Sequence, residues 1–135
     1  MALQYSVAVR NAQLDAIETT VGTSAVLKIR TGAAPANVAA ADSGTVLVTM
    51  TLPSDWMAAA ASGAKAKAGT WEDTSADATG TAAHFRVYAS DGTTAHIQGT
   101  VTATGGGGDL TVDNVSIAAA QAVSITGWTI TAGNA

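Results

Sequence analysis

The chain has no cysteine, one phenylalanine, two prolines and only 12% charged residues. Each shortage removes a class of explanation. Without thiols there is neither a disulfide framework nor a thiolate metal site. Six basic residues, scattered and outnumbered by ten acidic ones, are too few to track a phosphate backbone, so no nucleic-acid partner is expected. No run approaches the roughly 18 apolar residues of a membrane-spanning helix. Residues 1–6, Met-Ala-Leu-Gln-Tyr-Ser, also lack the basic stretch and apolar block of a secretory leader. The expectation is a protein made and used without Sec export or membrane insertion.

Small residues dominate instead: 31 alanines, 20 threonines and 14 glycines in 135 residues. Large side chains being scarce, core layers must be thin, and Trp56, Trp71 and Trp128 must each fill a disproportionate share of them. Low charge among small polar groups also suits a surface covered by neighbours, because charge is depleted at the centres of protein interfaces.

Periodicity divides the chain at residue 22. Ser6 is placed to cap a helix over 6–21, Arg10, Leu14, Ile17 and Val21 recur at helical spacing, and Gly22 stands where a helix stops. The apolar stripe packs on a sheet or reaches a partner subunit. From residue 24 the period becomes two, giving a strand that ends before Thr31-Gly32 and a second over Thr45–Leu52, closed by Pro53. A long loop of small residues spans 32–43. Residues 54–63 read as a short helix capped by Ser54, Lys65–Trp71 as a strand with Lys65 and Lys67 outward, and 72–81 as a polar loop.

The strongest local signal is Asp91-Gly92 between two alternating runs, a hairpin. A three-residue loop, Ser90-Asp91-Gly92 with Gly92 at positive φ, opposes Phe85 with Ile97, Val87 with Ala95 and Ala83 with Gly99. One face is then apolar, and the other shows His84, Arg86, Tyr88, Thr94, His96 and Gln98 outward. Farther on, apolar positions change phase twice, at Asp113-Asn114 and at Gly127. Each switch predicts a bulge or a strand that crosses between sheets. The expected fold is all-β: a single-domain β-sandwich or jelly roll of about eight strands, with residues 1–22 as arm and helix and 23–135 as the sandwich.

No constellation meets the requirements of an active site. Ala41-Asp42-Ser43-Gly44 is similar to the nucleophile neighbourhood of serine proteases but lacks the preceding glycine, and Gly105–Gly108 lacks the lysine and hydroxyl of a phosphate-binding loop. Glu72, Asp73, Ser75 and Asp77 offer oxygens to a hard cation without the glycine of a calcium loop. His84 and His96 flank Arg86, a poor arrangement for a metal. Asn114-Val115-Ser116 fits a glycosylation sequon without an export signal. No enzyme activity, cofactor or metal is expected.

Several stretches resemble small structural proteins of tailed bacteriophages: residues 27–36 (Leu-Lys-Ile-Arg-Thr-Gly-Ala-Ala-Pro-Ala), 44–52, 73–81 followed by Phe85-Arg-Val-Tyr, and 113–118 with 123–130. The resemblance implies a β-sandwich or jelly-roll virion component, a cement or decoration protein on the capsid surface. It would bind the major capsid protein, form a homo-oligomer (dimer or trimer) and be assembled in the host cytoplasm. The alternative is a head-fibre or tail component with a carbohydrate-binding β-sandwich, in which the three tryptophans form a platform for sugar rings. Three surfaces suit a lattice contact. They are the arm and helix from Ala2 to Val21 with Tyr5, Arg10, Leu14 and Ile17, the 32–43 loop with Pro35 and Asn37, and the polar hairpin face with His84, Arg86, Tyr88 and His96. The N-terminal segment ranks first, since a terminus is easily ordered by a partner.

Overall fold

The computed structural model describes residues 2–135; Met1, the first residue of the expected arm, lies outside them. Helix α1 covers Val7–Val21, capped by the Ser6 hydroxyl, which accepts the Val9 N–H at 3.3 Å, and stopped at Gly22, whose N–H donates to the Glu18 carbonyl. Eleven short strands follow: β1 (Val26–Arg30), β2 (Val46–Thr51), β3 (Ala64–Ala66), β4 (Trp71–Asp73), β5 (Gly80–Thr81), β6 (His84–Tyr88), β7 (Ala95–Ala103), β8 (Leu110–Val112), β9 (Ser116–Ile117), β10 (Val123–Ile125) and β11 (Thr129–Thr131). The fold is mainly β with one helix, and strands outnumber the expected eight because several runs are interrupted.

Five strands form one sheet in the order β2-β1-β6-β7-β8, with β8 parallel to β7 and every other pair antiparallel. The remaining strands pair as β10-β4, β11-β3 and β5-β9. Both phase switches act as the sequence predicts, by moving the chain from one ladder to another. After Asp113-Asn114 the chain leaves β8 in the main sheet for β9 against β5, and after Gly127 it leaves β10 against β4 for β11 against β3. The free edge of β2 is occupied by the next segment. Asp77 donates its N–H to the Leu47 carbonyl, while the Asp73 carboxylate takes the Thr49 N–H.

One face of the main sheet carries Val48, Met50, Leu27, Ile29, Phe85 and Val87, all buried. Against it stands a row of rings, Trp56 to Trp71 at 6.0 Å, Trp71 to Trp128 at 5.5 Å, and Phe85 edge-on to Trp128 at 6.0 Å. A chain poor in large side chains thus builds its core around four aromatics and fills the gaps with valine and alanine. All three indole N–H groups are satisfied by carbonyls, of Gly22, Ala68 and Asp109 respectively.

Four expectations fail for identifiable reasons. Residues 54–63 are not helical. Trp56 is drawn into the core, and a four-alanine run beyond it is too short to sustain a helix nucleus. Instead Ser62 and Gly63, both at positive φ (53° and 74°), close a two-residue turn that pairs Ala61 with Ala64 through reciprocal bonds of 2.9 Å and Met57 with Lys67. That hairpin turns Lys65 inward rather than outward, where its side chain is 2% exposed.

The central hairpin has Gly92 at φ 70° as expected, but its register is shifted. Phe85 opposes Gly99, Val87 opposes Ile97 and Tyr88 opposes Ala95, with His96 as the extra residue of a bulge. The Asp91 carboxylate accepts the N–H groups of Thr93 and Thr94 and the Thr94 hydroxyl, so amides that a tighter turn would pair are satisfied within the loop. Those bonds, with the Thr94 hydroxyl foremost, hold the Asp91 carboxyl far below the usual carboxylate range.

The fourth failure concerns the polar hairpin face, which does not look outward. His84, Arg86 and Tyr88 are all buried, beneath the loop that spans 32–43.

Candidate functional site

The residues singled out in the sequence gather in two places. The first is the seam between the main sheet and the 32–43 loop. β1 and β6 are adjacent and in register, so Lys28, Arg30, His84, Arg86 and Tyr88 project from one face. Asp42 descends onto them from the loop. Its carboxylate pairs with Arg30 at 2.9 Å and Arg86 at 2.8 Å and accepts the Tyr88 hydroxyl at 2.7 Å. Burial pushes the Asp42 carboxyl up, but the Tyr88 hydroxyl and the two guanidinium groups outweigh it and hold the group below its ordinary value. Tyr88 moves the other way, raised first by burial and then by donating to Asp42.

Arg86 is fully engaged, with Ala40 and Asn37 carbonyls at 3.0 Å and the Gln98 side-chain oxygen at 2.9 and 3.1 Å; Gln98 in turn donates to the Pro35 carbonyl at 2.9 Å. Pro35 and Asn37 therefore contribute backbone carbonyls to an internal clamp. The loop covers the sheet, which is why so long a connection is ordered. Arg86 and Tyr88 are removed from the set of surface candidates by the same geometry, as is His84, whose Nδ1 lies 2.7 Å from the Gly32 carbonyl. Asp42 is the member the sequence reading missed. Its signal was present: one acid in a twelve-residue loop, opposite two arginines at alternating strand positions. The hydroxyl of Ser43, next in the chain, donates to the Ala33 carbonyl at 3.3 Å rather than meeting a histidine.

The second place is the N-terminal segment. Helix α1 engages its charges with the rest of the chain, Asp15 from a half-exposed position. Asp15 and Glu18 grip the buried Lys65 ammonium at 2.7 and 2.9 Å, Asp15 also accepts the Ala60 N–H, and Arg10 donates to the Ala132 carbonyl at 3.1 Å. Burial alone would lower the Lys65 pKa; the two carboxylates outweigh it and raise it, while Lys65 and then the Ala60 N–H hold Asp15 down. Asn11 adds a bond from the Gly63 N–H at 2.9 Å.

What α1 shows to solvent is Val7, Ala8, Val9, Ala12, Gln13, Ala16, Thr19 and Thr20, without a single charge. The large exposed apolar side chains among the described residues are Leu3 at 68%, Val7 at 50% and Val9 at 44%, all within this segment. Leu14 and Val21 are buried and Ile17 is packed partly against the core, so the stripe meets the protein's own strands. Between the helix and β7 and β11 an uncharged groove of about 440 Å³ stays open, lined by Ile17, Ile97, Trp128 and Ile130 with His96 at its side. The bulge explains His96: the extra residue turns it away from the polar face toward this groove. Tyr5 ties the arm to the far end of the chain, its N–H donating to the Asn134 carbonyl, and Gln4 reaches the Ala135 carbonyl at 3.3 Å.

The remaining candidates dissolve into structure. Trp56, Trp71 and Trp128 are buried, so they form no platform for sugar rings. Asp73 and Asp77 hold Thr49, and among the described residues no group of three His, Cys, Asp or Glu side chains converges to hold a metal ion. No helix among them is long and apolar enough to cross a membrane. Comparison with protein-family models, with curated proteins and with solved structures finds no match to this chain.

Proposed function

We propose that this chain is a non-enzymatic structural protein of a phage virion, a capsid cement or decoration protein whose β-strands form a sandwich and whose N-terminal segment docks on the shell of major capsid protein subunits. The observation that carries the reading is the inverted helix. Arg10, Asp15 and Glu18 are spent on internal contacts, whereas the most exposed positions of α1 and of the arm before it carry no charge and include Leu3, Val7 and Val9, the large exposed apolar side chains among the described residues. A lone soluble helix faces the other way. Exposed apolar side chains grouped in one segment mark a contact surface, and small residues approach a partner closely while losing little side-chain entropy. Resemblance of the strand and turn stretches to small virion proteins supports the same reading, and the low charge suits a surface with neighbours.

A repeating lattice favours such an interface even when each contact is modest, more so if the protein itself forms a dimer or trimer. Two measurements test this. Mass spectrometry of purified virions should find the chain in many copies per particle; its absence sinks the reading, and a few copies point to the head-fibre or tail alternative. The triple variant Leu3→Ser, Val7→Ser, Val9→Ser should remain folded but fail to decorate empty capsids. Full occupancy by that variant would move the contact elsewhere.

A further inference from the structure

The seam under the 32–43 loop leaves two buried atoms unmatched. Arg30 Nε and His84 Nε2 find no hydrogen-bond partner among the described residues. Neither is near solvent, the Arg30 side chain being 9% exposed and His84 1%. The two residues are direct cross-strand partners on β1 and β6, so their side chains stand together on the covered face. They also stand at the neck of the loop. The Gly32 carbonyl, at its start, lies 2.7 Å from His84 Nδ1, and the Gly44 carbonyl, at its end, is reached by Arg30 Nη1 at 3.4 Å.

A carbonyl oxygen only accepts, so His84 Nδ1 must carry a proton. Nε2 is then a lone pair on the neutral ring and a second N–H on the cation, whereas Arg30 Nε is a donor in every state. The surroundings are rich in positive charge. Arg30 and Arg86 share one carboxylate, that of Asp42, which also takes the Tyr88 hydroxyl. Lys28 is directed to the Gly92 carbonyl at 3.0 Å, and on β7 His84 faces Thr100, itself held by Asp109 at 2.9 Å, beside Gln98.

We propose that Arg30 and His84 form an acid-dependent site for a small monovalent anion of the chloride class. When His84 takes up a proton, Arg30 Nε–H and His84 Nε2–H become two donors without acceptors, and one anion satisfies both while cancelling the charge just added. Proton and anion enter together, one for one. The buried setting strengthens such charge-assisted bonds. This site is separate from the proposed docking segment and does not depend on it.

The test uses the full chain at constant ionic strength in sodium chloride or sodium gluconate, at about pH 5 and about pH 8, on either side of the ordinary histidine range. Chloride should raise Tm over gluconate by a few degrees at the lower pH, and the gain should vanish at the higher one. Chloride NMR lines should broaden in the presence of the native protein with the same pH dependence. His84→Gln, which cannot become cationic, should abolish that pH dependence, and Arg30→Lys, which keeps the charge but loses Nε–H, should weaken the broadening. Equal Tm values in the two salts at both pH values, with no excess line width, overturn the proposal and leave a bridging water as the occupant. A chloride effect that persists unchanged in His84→Gln overturns it too, since the anion would then bind elsewhere.

Discussion

The covered face of the main sheet and the outward face of α1 are opposites. On the sheet, Arg30, Arg86, Tyr88 and His84 are buried and bound to a loop; on the helix, valines, alanines and small uncharged polar residues meet solvent while Arg10, Asp15 and Glu18 bond to the protein's own strands and hairpin. Polarity does not tell which side of an element is inside in this protein. The cause is common to both. Each charged group is matched by a specific partner, Asp42 for the sheet and Lys65 for the helix, and a matched charge can be covered where an unmatched one cannot. The difference lies in what remains exposed. The sheet's cover is part of the chain, while nothing among the described residues covers the outward face of the helix.

Breaking the sheet's match should have the largest effect. Asp42→Ala leaves two buried guanidinium groups without their carboxylate and should cost about 3 kcal/mol in chemical denaturation, near the lower end for a buried pair because the carboxylate is itself 36% exposed. Its partner experiment on the helix is Lys65→Ala. Both acids there can turn to water, so the loss should be smaller, about 2 kcal/mol, and hydrogen exchange should show α1 and the 57–67 hairpin loosening before the main sheet does.

Titration separates the regions as well. Asp42 has a depressed pKa in the fold, so its contribution is present above the ordinary carboxylate value, roughly pH 4, and is lost as pH falls through the folded value. Lys65 is raised, so its contribution is present below its ordinary value, roughly pH 10, and is lost as pH rises through the folded value. Urea unfolding should accordingly show an acid limb that Asp42→Asn reduces, with Asp91 and Asp15 keeping the rest, and an alkaline limb that Lys65→Met reduces, with Tyr88 keeping the rest.

A control lies outside both regions. Gly92 sits at φ 70° with open space where a Cβ would go, so Gly92→Ala should cost only backbone strain, on the order of 1 kcal/mol. The smallest effect on stability belongs to the exposed segment. Leu3→Ser, Val7→Ser and Val9→Ser should together shift the unfolding midpoint little, which is what makes their loss of capsid occupancy informative.

Much of this was legible in the sequence, and the parts that were not share a cause. Ser6 and Gly22 bracket α1 as read, β1 and β2 fall on their alternating runs, and the phase changes at Asp113-Asn114 and Gly127 mark transfers between ladders. Those signals are local. The inward turn of Lys65 depends on Asp15 and Glu18 and that of Arg86 and Tyr88 on Asp42, 44 to 50 residues away in sequence, and alternation by itself assigns such residues to water. The hairpin register failed for a smaller reason, because Asp91 satisfies its loop amides and His96 bulges, neither of which a strict two-residue period contains. For the proposed docking segment, the helix was readable, but the apolar stripe it offered, Leu14, Ile17 and Val21, faces the protein's own strands. That Leu3, Val7 and Val9 are the exposed apolar residues, and that the helix charges are engaged internally, was not.

The edges of the main sheet carry one further consequence. On β2 the open backbone groups are taken by Asp73 and Asp77, and on the other side β8 is only three residues long. An unpaired edge is a template on which one molecule can add to the next without limit. β8 covers only Val101–Ala103 of the nine-residue β7, and beyond it the Asp109 carboxylate takes the Thr100 N–H and a bulge at His96 interrupts the edge, so both edges are poor templates for strand addition between copies. Copies of this chain crowded side by side therefore meet carboxylates and a bulge at the sheet edges more than open backbone, which favours contacts through side chains.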